Sequence, residues 1–444
     1  MKTPHKHVPW SPGDRLLMIV LGVLVVGVSL GVWSHGRDRT PDLIVPTPIL
    51  PSPNAFDYYL QAGTAITGGA IISPSAPNQP INPTAAQAAV VRQNAAPNGA
   101  VSLLHQGFQY PCHGPVVRSF SALFPQYQKV RALARLLALQ ARVDAAQGDW
   151  TGAMTADLDC IRLGEDTARG SGLIGMLVGS ACESIGRRQA WKIVNHLTLA
   201  EARAAAQRLE SIRTRHVPYA DTMQESEWSD QAGLLEMMRL PGWPDGVTQG
   251  FSGSGNQSLT DTLSNWKTAT IIRATGKKAI LSNVTHYLDQ KVANARQPYA
   301  AHLPDPTPPS DPISRMMFSS DSPLDRIRLN ETRADTENAL LLTLLALRAY
   351  KLDRGAYPTA LSALVPGYLK TVPSDPFALS GPLRYKRTAG SFLLYSVGPD
   401  GKDDGGKPIF DATKSAPSDS SRSDQRYYVV PESQGDIVAG VNVS

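Results

Sequence analysis

Residues 391–406 read SFLLYSVGPDGKDDGG, and the fold of the C-terminal region turns on them. Ser391 to Val397 is a short apolar and aromatic run with the length and composition of a buried strand. Behind it, Asp400, Asp403 and Asp404 stand among Gly398, Gly401, Gly405 and Gly406. Glycines allow a loop to fold back tightly, and clustered carboxylates on such a loop suit a hard cation such as calcium. Left without a cation, the same carboxylates repel one another and loosen the loop.

Working outward, residues 341–377 read LLTLLALRAYKLDRGAYPTALSALVPGYLKTVPSDPF, residues 382–387 read PLRYKR, and Gly435-Asp436-Ile437-Val438 comes later. Three blocks stand out. Tyr350, Gly355, Tyr357 and Pro358 close an apolar helix pattern; Leu361, Leu364, Tyr368, Leu369, Pro373, Asp375 and Pro376 follow; Tyr395, Ser396, Gly398, Asp400 and Gly401 end the series. In this order and spacing the blocks resemble the C-terminal half of the major pseudopilin of bacterial type II secretion. The resemblance implies a pilin-like domain, a long helix on a small antiparallel sheet. It also implies calcium in the loop, with Asp400, Asp403, Asp404 and Asp436 as metal ligands and Asp411 as a weaker candidate. The Ser/Asp-rich insert 412–426 has no counterpart in that pattern. Gly13-Asp14-Arg15-Leu16-Leu17 also departs from the family's leader-peptidase site, Gly then Phe-Thr-Leu-x-Glu, so processing and pilus assembly do not follow from the resemblance.

Ser322-Pro323-Leu324-Asp325 is a helix start, with Ser322 as the cap and proline in the first turn. The helix is expected to run to Asp353 and to stop at Gly355. Its Leu340–Leu347 portion is almost wholly apolar, so more than one side needs cover, from the sheet and from the helical region before it. Segments 383–387 and 392–397 suit two antiparallel strands, and 427–430 and 437–441 suit further ones.

Leu16 to Trp33 is an uncharged apolar run, long enough at 1.5 Å per residue to cross about 27 Å of hydrocarbon. It exceeds a signal-peptide core, and Ser34-His35-Gly36 is a poor cleavage site, so it reads as a permanent transmembrane signal-anchor. Lys2, Lys6 and Arg15 favour an inside N-terminus. The expected location is the inner (cytoplasmic) membrane of a bacterial envelope, single-pass, with the bulk of the chain extracytoplasmic in the periplasm.

Over 444 residues a hydrophobic fraction of 42% is enough for sizeable cores, while 36 Gly and 35 Pro mark irregular stretches between them. A net charge of +5 is too modest to suggest nucleic acid. Three cysteines are too few for a disulfide scaffold; either Cys160 and Cys182 pair, or Cys112, Cys160 and Cys182 are all buried thiols. Asn54 caps a short helix through Gly63, and a second short helix fits 84–93. Tyr127–Gln147 carries Val130, Leu133, Leu136, Leu137 and Val143 at helical spacing. Gly148-Asp149-Trp150 then turns into a helix through Gly164, similar to one tetratricopeptide hairpin. Helices follow at 173–196, 199–216, 218–240 and 259–295. Glu183 argues for a buried helix at 173–185 rather than a second span, and the basic residues of 259–295 read as a solvated face.

The expected organisation is a cytoplasmic N-terminus (1–15), a transmembrane anchor (16–33), a Pro/Ala-rich linker (34–100), a helical domain (101–296), a Pro-rich linker (297–321) and a pseudopilin-like domain (322–444). The fold class is accordingly α+β: an N-terminal transmembrane helix, a mainly helical middle domain and the pilin-like C-terminal domain. No H-E-x-x-H, G-x-S-x-G, P-loop or Rossmann pattern occurs. Ser264 and Lys267 have S-x-x-K spacing without the companion K-T-G, and Cys112-His113 alone is no metal motif. The chain is therefore expected not to be an enzyme and to have no small-molecule substrate. The expected role is structural or interaction-based, through self-association or a protein partner, beside a secretion or pilus-like apparatus. Its rivals are an exported helical scaffold that binds an envelope partner and an envelope hydrolase without a recognisable motif.

Overall fold

Capping groups start the helices where apolar spacing places them. In the computed structural model, which describes residues 39–69, 82–245, 259–301, 303–318, 324–414 and 425–442, Asn54 accepts the Phe56 N–H at 3.2 Å and opens α1 (Ala55–Ala65). Thr84 and Gln87 form a capping box before α2 (Ala85–Ala95), and α3 (Ala100–Gly107) follows. Helix α4 (Gln126–Ala146) turns at Gly148 into α5 (Trp150–Ala168), where Asp149 accepts the Gly152 N–H at 2.8 Å. Next come α6 (Gly172–Ile193), α7 (Leu199–Arg213), with a Thr198–Glu201 capping box, and α8 (Tyr219–Arg239). The expected single helix over 259–295 is two, α9 (Leu259–Thr275) and α10 (Lys277–Ala295), because Gly276 lies between them at φ +80°. Helix α11 (Pro312–Met317) precedes the 31-residue α12 (Leu324–Arg354), which stops at Gly355, φ +78°. The Ser322 cap lies outside the described residues.

Strands β1 (Arg384–Thr388), β2 (Ser391–Ser396) and β3 (Ile437–Val438) form one antiparallel sheet in the order β1-β2-β3. Tyr385 pairs with Leu394 and Ser396 with Ile437. Residues 427–430 form no strand; Gln425–Tyr427 is a 3₁₀ turn instead.

The chain divides into two compact units. The smaller takes its described residues from 1–45, 230–288 and 307–321, and its core gathers Leu234, Met238, Ile272, Ile280, Val284 and Ile313. The larger comprises 46–229, 289–306 and 322–444. There α12 packs on α6, α7 and β2. Leu340, Leu341, Leu342, Leu345 and Leu347 are all buried in one cluster with Ile193 and Leu209 of the helices, Leu197 between them, and Phe377, Leu383, Leu394 and Val397 of the sheet region. Each such leucine contributes about 2 kcal/mol of burial.

Two expectations are corrected. The α+β class gives way to a mostly helical architecture in which the described strands amount to one small three-stranded sheet. The transmembrane anchor, and with it the membrane as partner and the inner-membrane, periplasmic placement in a bacterial envelope, is not supported: among the described residues no helix is long and apolar enough to cross a membrane. The long helices carry charge instead. Helix α6 contains Glu183, Arg187, Arg188 and Lys192, and the first half of α12 contains Arg328, Glu331, Asp335 and Glu337. The apolar run 16–33 itself lies outside the described residues.

Candidate functional site

The acidic loop is aimed by a clamp at the end of β2. Asp375, buried, accepts the Ser396 hydroxyl at 2.6 Å, the Val397 N–H at 2.9 Å and the Phe377 N–H at 3.1 Å. Burial pushes its carboxyl above the usual range even though these hydrogen bonds and Arg384 pull it down. Beyond the clamp, Gly398 lies at φ +72°, and a Cβ there would fall on the carbonyl of Gly435. The two arms of the loop therefore touch backbone to backbone, which only glycine permits. The contact continues as the Asp436 N–H donates to Lys407 O at 2.8 Å and the Ile409 N–H to Asp436 O at 3.1 Å.

At the centre sits Asp436, fully buried. Its carboxylate accepts the N–H groups of Gly406 at 2.7 Å and Asp404 at 3.3 Å. Burial, with the nearby Asp403 and Asp404, outweighs these bonds and pushes its pKa up to about 6. The other three predicted ligands are on the solvent side. Asp403 accepts Tyr395 OH at 2.9 Å and the Gly405 N–H at 3.0 Å, and meets Arg384 at 3.3 Å. Slight burial would raise it, but these donors hold it below the usual carboxylate range. Asp400 accepts the Lys402 N–H at 3.1 Å, and Asp404 is exposed. Asp411 caps its own turn by accepting both the N–H and the hydroxyl of Thr413.

The loop thus brings Asp403 and Asp404 near Asp436 and turns Asp400 toward its own backbone. An all-oxygen anionic donor set around a buried carboxylate fits the chemistry of a hard cation. Among the described residues, however, no group of three His, Cys, Asp or Glu side chains is placed to hold a metal ion.

The other sequence candidates do not converge on chemistry. Ser264 and Lys267 lie exposed on α9. The Cys112 thiol donates to Asp166 O and the His113 ring bonds Gly114 O, so the two residues face different partners. All three cysteines are free and buried, with Cys160 Sγ donating to the carbonyl of Cys182.

Sequence reasoning missed a buried polar network in the larger unit. Arg187 of α6 donates to Glu183 at 3.0 Å and, from α12, to Glu337 at 2.9 Å and Asn338 at 3.2 Å. His216 bridges Glu165 at 3.4 Å and Glu331 at 2.9 Å, and Arg213 donates to Asp335 at 2.8 Å. Burial and the neighbouring Glu165 push Glu183 up to about 8, against the pull of Arg187 and Asn338. Burial would lower His216, but its two carboxylate hydrogen bonds override that and push it up to about 12. The available signal was the charged run at three- and four-residue steps in the first half of a helix that has to be covered on several sides. Set against protein-family models, curated proteins and solved structures, the chain matches none.

Proposed function

We propose that the chain is a non-catalytic structural or interaction protein whose C-terminal region is a pseudopilin-like head, with calcium neutralising its acidic loop. Support for the head comes from α12 packed on β2 and from the way the motif blocks meet. Tyr350 and Tyr368 have ring centroids 5.2 Å apart, Tyr385 OH donates to Pro358 O at 2.8 Å, and Ser396 donates to Asp375. The observation that carries the calcium reading is Asp436, a buried carboxylate beside two further aspartates, held by backbone N–H groups. To hold calcium, Asp403 and Asp404 would have to turn inward beside Asp436, and the ion's charge would then remove the repulsion that disfavours ionisation there.

The test is calcium titrated into the full-length chain, read by heat and by melting temperature. The expected result is saturable binding at about 0.1–1 mM with a rise in melting temperature. Both effects are lost in Asp436→Asn and kept in Asp411→Asn. No heat and no shift in the wild-type chain would remove calcium and leave the loop closed by the Asp436 hydrogen bonds. Turnover in a screen of ester, peptide and glycoside substrates would overturn the non-catalytic part.

A further inference from the structure

In the larger unit, where the start of α8, the end of α10 and the first half of α12 meet, lies a cavity of about 160 Å³. Its polar lining includes Tyr219, Gln297, Tyr299, Arg328, Glu331 and Asp335. The three charged residues repeat at three- and four-residue steps, so they form one row along α12. Arg328 stands about 4.5 Å along the axis from Glu331 and about 10.5 Å from Asp335.

The two ends of the row are left with unequal partners. The Arg328 guanidinium donates to Gln297 O at 2.6 Å and lies 5.5 Å from the centroid of the Tyr299 ring; it makes no ion pair among the described residues. Glu331 receives His216 on one oxygen and the Thr332 hydroxyl, at 3.3 Å, on the other. Asp335 receives Arg213 on Oδ1, and its Oδ2 takes no hydrogen bond among the described residues. The cavity therefore offers an unpaired guanidinium at one end and carboxylate oxygen within two helical turns of it, beside two tyrosines.

We propose that this cavity binds a small zwitterion of the α-amino acid class, its carboxylate on Arg328 and its ammonium toward Glu331 and Asp335. A purely anionic ligand would leave the open Asp335 oxygen without a donor, and a purely cationic one would face Arg328; a molecule carrying both a carboxylate and an ammonium serves both ends. The volume admits a small side chain, of alanine or serine size. This assignment is independent of the acidic loop, which lies on other residues.

The full-length chain is titrated with L-alanine, propionate and ethylamine, the last two being of similar size with one charge removed. L-Alanine is expected to bind saturably and to raise the melting temperature, and each single-charge analogue to bind about tenfold more weakly or worse. Arg328→Met should weaken L-alanine by about tenfold and leave ethylamine unchanged. The proposal is overturned by no saturable binding of L-alanine to the wild-type chain, by equal binding of either analogue, or by unaltered binding in a folded Arg328→Met. Should that variant not fold, the three-probe comparison on the wild-type chain decides by itself.

Discussion

Asp157 is the residue whose chemistry is most at odds with its surroundings. It is fully buried in α5, and among the described residues neither carboxyl oxygen has a hydrogen-bond partner. Desolvation holds its pKa well above the ordinary value, because burial disfavours the charged form. A folded pKa above the unfolded 3.8 means that the native state binds more protons, and stability falls as pH rises from there. Asp157→Asn cannot ionise and is nearly isosteric. It should melt close to wild type at about pH 4 and increasingly above wild type as the pH is raised to about 8. A gap that stays constant between the two pH values would show that ionisation is not the cost. Nothing in the local pattern marks this aspartate, since its neighbours Asp159 and Asp166 carry the same side chain on the same helix and meet partners: Asp159 meets His105 and Arg208, and Asp166 accepts Tyr59 OH at 2.6 Å.

Between elements, α5 and α6 approach one another backbone to backbone. A Cβ at Gly179 would fall on the Gly164 carbonyl, one at Gly164 on the Gly179 carbonyl, and one at Gly186 on Asp157 O. Backbone cannot move aside as a side chain can, so Gly179→Val should force the helices apart and cost about 3 kcal/mol. Gly367→Ala, where a Cβ meets nothing, should stay within about 0.5 kcal/mol of wild type. Paired denaturant melts check both, and a loss in Gly179→Val no larger than that in Gly367→Ala would show that the two helices are not held in backbone contact. Both helices were legible from apolar spacing and from the Gly148 turn. Their glycine seam was not, because small residues in a helix read equally well as neutral surface until a neighbour is known.

Over the whole molecule, the network joining α5, α6, α7 and α12 sets how stability responds to pH. Glu183, pushed up to about 8, favours the folded state at low pH, and this contribution is lost as pH rises from 4.5 toward 8. His216, pushed up to about 12, stabilises fully below 6.5 and loses that contribution as pH climbs toward its folded value. The two slopes have the same sign, so the melting temperature should fall steadily from about pH 5 to about pH 9. Glu183→Gln should flatten the lower part of that fall and leave the upper part, which belongs to His216. A wild-type profile that rises across this window would refute the assignment. Removing the central cation, as in Arg187→Met, should cost about 3 kcal/mol, because buried Glu337 loses its hydrogen-bonded partner and, among the described residues, keeps only Arg333, at 3.2 Å from its other oxygen.

What the amino-acid order determined by itself lies within a few residues. The caps at Asn54, Thr84 and Thr198, the stop at Gly355 and the strand run 391–396 are settled by near neighbours. Only the tertiary structure decided which carboxylates matter. Asp436 meets Gly406 from thirty positions away, and Arg187 meets Glu337 from 150. The fate of an ionisable group depends on the dielectric and partners that folding gathers around it, and no local pattern encodes those. For the same reason four aspartates that look alike along the chain separate into one buried anchor and three on the solvent side.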